Sequence, residues 1–215
     1  MVETLTSHET SALWLIPAIP LAVAALNLFV GKRLGRWAGV LATVAVAVSF
    51  GISVAVVADL LGRPAGERLA LQHLFDWISV GGFRVGADLR LDALSATMIL
   101  VITGIGALIH LYAIGYMAAD PRRGRFFAYL NLFVFFMLML VLGANYLVLY
   151  LGWEGVGLCS FLLIGFWFDK VANAEAAKKA FITTRIGDTL MLVGLATLVF
   201  KFGTLDFEPI FGSTR

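Results

Sequence analysis

Six long apolar runs separated by short polar connections make up most of the chain. They cover roughly residues 12–31, 37–61, 91–117, 126–144, 145–168 and 177–200. A helix crossing a bilayer needs about 20 such residues, so the pattern predicts six membrane-spanning helices. In the first run, "IPAIP" places Pro17 and Pro20 where a helix start or a kink is expected. The fourth and fifth runs are separated only by "GAN", a tight turn between antiparallel spans.

The periodicity changes between the second and third spans. In "DWISVGGFRVGADLRLD", the pair Gly81-Gly82 lies between two short segments of strand character, a two-residue hairpin signal. A lone hairpin is marginal in water, so this one is expected to pack on helix ends or on a neighbouring subunit. Trp14, Trp37, Trp77 and Trp167 fall near the predicted membrane interfaces, as an aromatic belt would. Trp153 lies at membrane depth, next to a glutamate.

Composition agrees with the pattern. The 215 residues are 60% hydrophobic and 14% charged, against about 25% charged in soluble domains. The single cysteine, Cys159, excludes an intrachain disulfide and carries no redox or metal signal. The first apolar run has no basic leader, so no cleavable signal peptide is expected. No metal-spaced His/Cys cluster, nucleotide-binding glycine fingerprint or nucleophile elbow is present, and His8, His73 and His110 are scattered. The basic residues give no nucleic-acid signal, because they sit in short loops that membrane topology explains.

Those loops set an orientation. Lys32, Arg33 and Arg36 follow the first span, Arg122, Arg123 and Arg125 the third, and Lys170, Lys178 and Lys179 the fifth. The positive-inside rule puts these three loops in the cytoplasm and the N-terminus outside. The loop between spans two and three also carries arginines, but it is the longest and mixes them with acids, so it counts less.

Three ionisable residues lie well inside predicted spans: Glu154 in the fifth, Arg185 and Asp188 in the sixth. Such charges cost about 2.5–3.5 kcal/mol each at a helix centre, and normally face a bundle interior or an ion route. Counting residues from the outer helix ends puts Glu154 about 14 Å deep and Asp188 about 18 Å deep, in a hydrocarbon core about 30 Å thick. Both carboxylates therefore sit near the midplane on successive spans. Arg185 and Asp188 are three residues apart and can face each other. With Lys178 and Thr189 they form a polar stripe, read either as an ion pair with a snorkelling lysine or as part of a proton route. Burial favours the protonated form of a lone Glu154, and a nearby cation favours its carboxylate. It reads as a proton-loading site or as a permanently protonated acid joining helices. Gly152, Gly155 and Cys159 form a small-residue face for close helix approach, while Glu154, Gly157 and Phe161 share another. His110, near Tyr112 and Tyr116, reads as a packed histidine or a relay member. Asp92 in "LDALS" reads as a helix N-cap.

The stretches "LGWEGVGLCSFLLIGFWF" and "AAKKAFITTRIGDTLMLVGLATL" closely resemble the L subunits of bacterial respiratory complex I, NADH:quinone oxidoreductase. So do "LRLDALSATMILVITGIGALIHLY", "LIHLYAIGYMAADPRRGRFFAYLNLF" and "FGTLDFEPIF". The resemblance covers nearly all of the chain beyond about residue 70, while the first two spans match in character more than in motif. It implies an all-α integral membrane fold, with about six transmembrane helices forming the N-terminal part of an antiporter-like bundle and a short external β-hairpin. The implied division is residues 1–68 for helices one and two, 69–90 for the hairpin loop, and 91–215 for helices three to six.

The implied function is proton translocation coupled to electron transfer from NADH to quinone, in the bacterial inner membrane. Glu154 corresponds to the family's proton-translocating glutamate, and Arg185 and Asp188 to its charged pair on the following helix. Lys178 and His110 are further candidates. NADH, flavin, iron–sulfur clusters and quinone are expected in partner subunits, with no cofactor or metal on this chain. The partners implied are other complex I membrane subunits, the lipid bilayer and protons. Phe161 stands where many members have Tyr. Members also carry lysines on later helices that this sequence does not reach, so it reads as an N-terminal fragment. Mrp-type cation/proton antiporter subunits look similar, and a non-pumping fragment of either family is the remaining alternative.

Overall fold

The computed structural model describes residues 8–9 and 12–212. Among these residues, six helices are long and apolar enough to cross a membrane. They are α1 (Leu15–Leu34), α2 (Trp37–Gly62), α3 (Ala93–Tyr116), α4 (Arg123–Leu142), α5 (Tyr146–Ile164) and α6 (Val171–Phe202). The six expected spans are all present. Two begin earlier than hydropathy places them. α4 starts at Arg123 instead of 126, and α6 at Val171 instead of 177, because both carry a polar, helix-forming first turn that extends past the apolar run. Pro17 and Pro20 lie in the first two turns of α1, and neither ends it. A last short helix, α7 (Phe207–Gly212), follows α6, which stops at Gly203 in the left-handed conformation, φ 71°.

The hairpin forms as expected. Strands β2 (Ala70–Val80) and β3 (Phe83–Leu91) pair antiparallel, with Val80 opposite Phe83. Gly81 takes φ 61° at the first central turn position, where only glycine is unstrained. A two-residue strand, β1 (His8–Glu9), adds in parallel to β2. Alternate residues of β3 (Val85, Ala87, Leu89 and Leu91) are buried, so one face of the ribbon is apolar and closes over the helix ends. Leu89 and Leu91 join Ile16, Val57, Ile99 and Leu138 in the main core.

α3 begins on a reciprocal cap. The Asp92 carboxylate accepts from the Leu94 and Ser95 amides, and the Ser95 hydroxyl bonds back to the Asp92 amide. Partial burial alone would raise the Asp92 carboxyl, but the Ser95 bonds and the Arg90 charge hold it below the usual range.

The chain gathers at both ends of the bundle. At the sheet end, the Ala144 amide donates to Asp88 O and the Tyr146 amide to Leu205 O, 3.0 Å each. Asn145 is fully buried there. Its Oδ1 caps α5 by accepting from the Val148 amide at 2.9 Å, and its Nδ2 donates to Gly86 O at 2.8 Å. Asn145→Ala removes a cap and strands a buried carbonyl, each worth about 1 kcal/mol. It is expected to destabilise the purified chain by about 2 kcal/mol in detergent unfolding. Equal stability of Asn145→Ala and the parent would refute the assignment. At the opposite end Arg122 pairs with Asp169 at 2.8 Å and Trp167 Nε1 donates to Asp120 Oδ2 at 2.8 Å. Loops three and five are thereby joined.

Glycines set the helix spacing where α1 crosses α4 and α4 crosses α5. A Cβ on Gly124 would meet the Gly31 backbone at 2.8 Å, and one on Gly152 would meet the Leu140 amide nitrogen at 2.5 Å. A Cβ on Gly155 would overlap the Phe136 ring, and Cys159 on the same face is fully buried. The small-residue face of α5 therefore packs on α4. α6 packs chiefly on α5, and its other sides are exposed, with Ile182, Ile186 and Leu190 all more than 60% accessible.

Candidate functional site

Packing α4 against the glycine face of α5 turns Glu154 the other way, towards α6. There the Arg185 guanidinium contacts Glu154 Oε2 directly in an ion pair. The same guanidinium nitrogen lies 3.8 Å from Asp188 Oδ2, one helical turn further along α6. Asp188 is almost completely buried, and its Oδ1 accepts a hydrogen bond from Trp153 Nε1 at 2.7 Å. The Tyr150 hydroxyl is 3.5 Å from the Asp188 carbonyl oxygen. Arg185 also stacks 4.6 Å from the centre of the Phe181 ring, which shields one face of the cation with aromatic surface. Glu154 Oε1 is buried without a hydrogen-bond partner among the described residues.

One cation thus serves two carboxylates from adjacent helices. The three expected members, Glu154, Arg185 and Asp188, come together. A cleft of ≈ 670 Å³ lies beside them, lined by Trp153, Gly157, Ser160, Phe161, Thr184 and Asp188 among others. The Ser160 and Thr184 hydroxyls both donate to backbone carbonyls of their own helices.

Lys178 and His110 are not part of this cluster. Lys178 is exposed and lines a separate cleft. His110 is fully buried on α3, bonded through Nδ1 to Gly106 O at 2.7 Å and lying beside Asn131 of α4. Sequence reasoning did not find Tyr150 and Phe181, and it gave Trp153 no role beyond its unusual depth. Their spacing held the signal. Tyr150 lies four residues before Glu154 and Phe181 four before Arg185, on the same helix faces.

Two family models match the chain. Residues 77–127 match "NADH-Ubiquinone oxidoreductase (complex I), chain 5 N-terminus", and residues 143–214 match "NADH:quinone oxidoreductase/Mrp antiporter, TM". The chain belongs to the complex I chain 5/Mrp antiporter family. It is an integral membrane protein. The second match contains the whole Glu154–Arg185–Asp188 cluster, and the first contains the turn of the hairpin and all of α3.

Among members of this family, the NADH-quinone oxidoreductase subunit L of Mycobacterium tuberculosis is 48% identical over 98% of the chain, and that of Escherichia coli K12 46% identical over 82%. The mycobacterial alignment takes in the first two helices as well, beyond the motif-bearing part. The chain spans about a third of the length of these curated relatives, 33% and 29% respectively. The Mrp complex of Dietzia sp. contains a chain that superposes with a TM-score of 0.75 at 26% identity, over 91% of this chain and 20% of its own length. An archaeal membrane-bound sulfane sulfur reductase shares the fold, with a TM-score of 0.76 at 19% identity, over 92% of this chain and 39% of its own.

Proposed function

We propose that this chain takes part in proton translocation as a membrane subunit of an NADH:quinone oxidoreductase, and that Glu154 is its proton-loading group. The observation that carries the reading is the charge balance of the cluster. Two carboxylates share a single guanidinium, which leaves one net negative charge inside the membrane-spanning region. Uncompensated charge is expensive there, and one added proton neutralises the set. Glu154 Oε1 is the open position, because Oε2 is held by Arg185 while Asp188 is held by both Arg185 and Trp153. In this reading Arg185 and Asp188 set the field in which Glu154 exchanges its proton, and Trp153 fixes Asp188.

The remaining assignments follow from the relatives. At 46–48% identity they are named as subunit L of NADH-quinone oxidoreductase, which favours the redox complex over the antiporter reading supported at 26%. The neighbours would be other membrane subunits of that complex. NADH, flavin, iron–sulfur clusters and quinone would lie in partner subunits, since one cysteine cannot supply the ligands of a cluster. We place the chain in a bacterial inner membrane with loops one, three and five in the cytoplasm. The hairpin, the 143–145 turn and the segment after α6 then face outside. The proposed division remains residues 1–68, 69–90 and 91–215.

Glu154→Gln tests the reading in the assembled complex, in inverted membrane vesicles. Proton uptake driven by NADH is expected to fall about tenfold or more, with the complex still assembled because Gln preserves size. Wild-type proton uptake by a fully assembled Glu154→Gln complex would sink the proposal. Asp188→Asn separates the roles within the cluster. Lost turnover with intact assembly supports a part in proton transfer, and lost assembly supports a purely structural ion pair.

A further inference from the structure

At the end of the bundle opposite the sheet, a second cleft of ≈ 310 Å³ opens where α4 begins and α5 gives way to α6. Arg125, Lys178 and Tyr129 are its polar lining residues, and Phe161, Leu162 and Phe166 are among its apolar ones. Among the described residues no carboxylate lines it. The nearby acids are engaged or turned away. Asp169 pairs with Arg122, and Asp120 accepts from Trp167 Nε1 and the Arg122 amide, acting on Arg125 only at longer range. Glu175, one turn before Lys178, is exposed. Two further arginines at this end have partners of their own. Arg36 stacks on Trp37 at 5.3 Å, and Arg123 donates to Ala118 O at 3.1 Å. Arg125 and Lys178 therefore line one apolar-walled cleft, neither in a direct ion pair among the described residues, at the depth where the apolar runs of α4 and α6 begin.

We propose that this cleft binds the headgroup of an anionic phospholipid, with the phosphate between Arg125 and Lys178 and the Tyr129 hydroxyl donating to it. The walls select a lipid over a soluble anion. A free phosphate would gain nothing from Phe161, Leu162 and Phe166, whereas the first methylenes of an acyl chain would bury against them. Phe161 also lines the larger cleft beside the charge cluster.

Native mass spectrometry of the purified chain, with added phosphatidylglycerol or phosphatidylcholine of the same acyl composition, tests this. Wild type is expected to retain phosphatidylglycerol selectively. Arg125→Ala/Lys178→Ala should weaken retention about twenty-five-fold, the product of about fivefold for each lost cation. Tyr129→Phe, which removes only a hydroxyl, should weaken it about fivefold and keeps the test open if the double variant fails to fold. Lys32→Ala/Arg33→Ala, outside the cleft, should leave it unchanged. The proposal is overturned by undiminished retention in the cleft variants, by an equal loss in Lys32→Ala/Arg33→Ala, or by equal retention of phosphatidylcholine. Displacement by glycerol 3-phosphate or inorganic phosphate at equal concentration would show a soluble-anion site and overturn it as well.

Discussion

Replacing Arg185 by leucine is expected to abolish proton translocation and to lower the amount of assembled complex. The guanidinium is the only cation shared by Glu154 and Asp188 among the described residues. Without it, two carboxylates on adjacent helices face each other with no counter-ion, and both cannot stay ionised. Removing one partner of a buried pair costs about 3–5 kcal/mol. Arg185 is 39% accessible at its side chain, so the lower end of that range applies. Arg185→Lys should be milder, since it restores the charge without the planar stack on Phe181. The double variant Arg185→Leu/Glu154→Gln separates stability from chemistry. It should recover much of the lost assembly, because no stranded carboxylate remains on α5, and recover none of the pumping. Pumping by Arg185→Leu at the wild-type rate, or no gain in assembly in the double variant, would contradict the shared-cation arrangement.

Gly152→Ala is expected to damage the site from the opposite face of α5. An added Cβ would meet the Leu140 backbone nitrogen at 2.5 Å and its Cα at 2.6 Å. Backbone cannot rotate aside, so restoring ordinary contact of about 3.5 Å requires the helices to part by about 1 Å. Overpacking of this kind costs about 1–3 kcal/mol. A displacement of about 1 Å at a reacting group can lower a rate about a hundredfold, and Glu154 is only two residues away. Gly194→Ala on α6, outside the cleft lining, is the control, because a Cβ there meets nothing within 4 Å. Thermal unfolding in detergent and NADH-driven proton uptake should both drop for Gly152→Ala and stay near wild type for Gly194→Ala. Equal behaviour of the two variants would show that the glycine contact does not position the site.

Much of this was legible in the residues. The spans followed from length and hydropathy, and the hairpin from Gly81-Gly82 between alternating segments. The packing face of α5 followed from the spacing of Gly152, Gly155 and Cys159, and the Asp92 cap from its position before an apolar run. The three charges were visible because burial makes them costly wherever they occur. Their pairing was less legible. Arg185 lies three residues from Asp188 in sequence, and the expected contact was within α6. Its closer ionic contact is with Glu154, across to α5, because the glycine face fixes the rotation of α5 and only tertiary packing sets that. Nothing local predicted that Trp153 would hold Asp188, or that Asn145 would link β3 to α5. Both contacts join residues more than 30 positions apart. Sequence spacing alone grouped Lys178 with the charged stripe, but seven residues of helix carry it to the membrane edge, about 10 Å away.

The order in which these helices are made has a chemical consequence. Chains are synthesised and folded from the N-terminus, so α5 is complete before α6 exists. The contacts on its glycine face and the hydrogen bond from Asn145 to Gly86 involve only earlier residues. The partner of Glu154 arrives about thirty residues later, on a helix that packs chiefly against α5. The ion pair that closes the cluster is therefore the last of these contacts to form, onto an α5 whose rotation the earlier helices have already fixed.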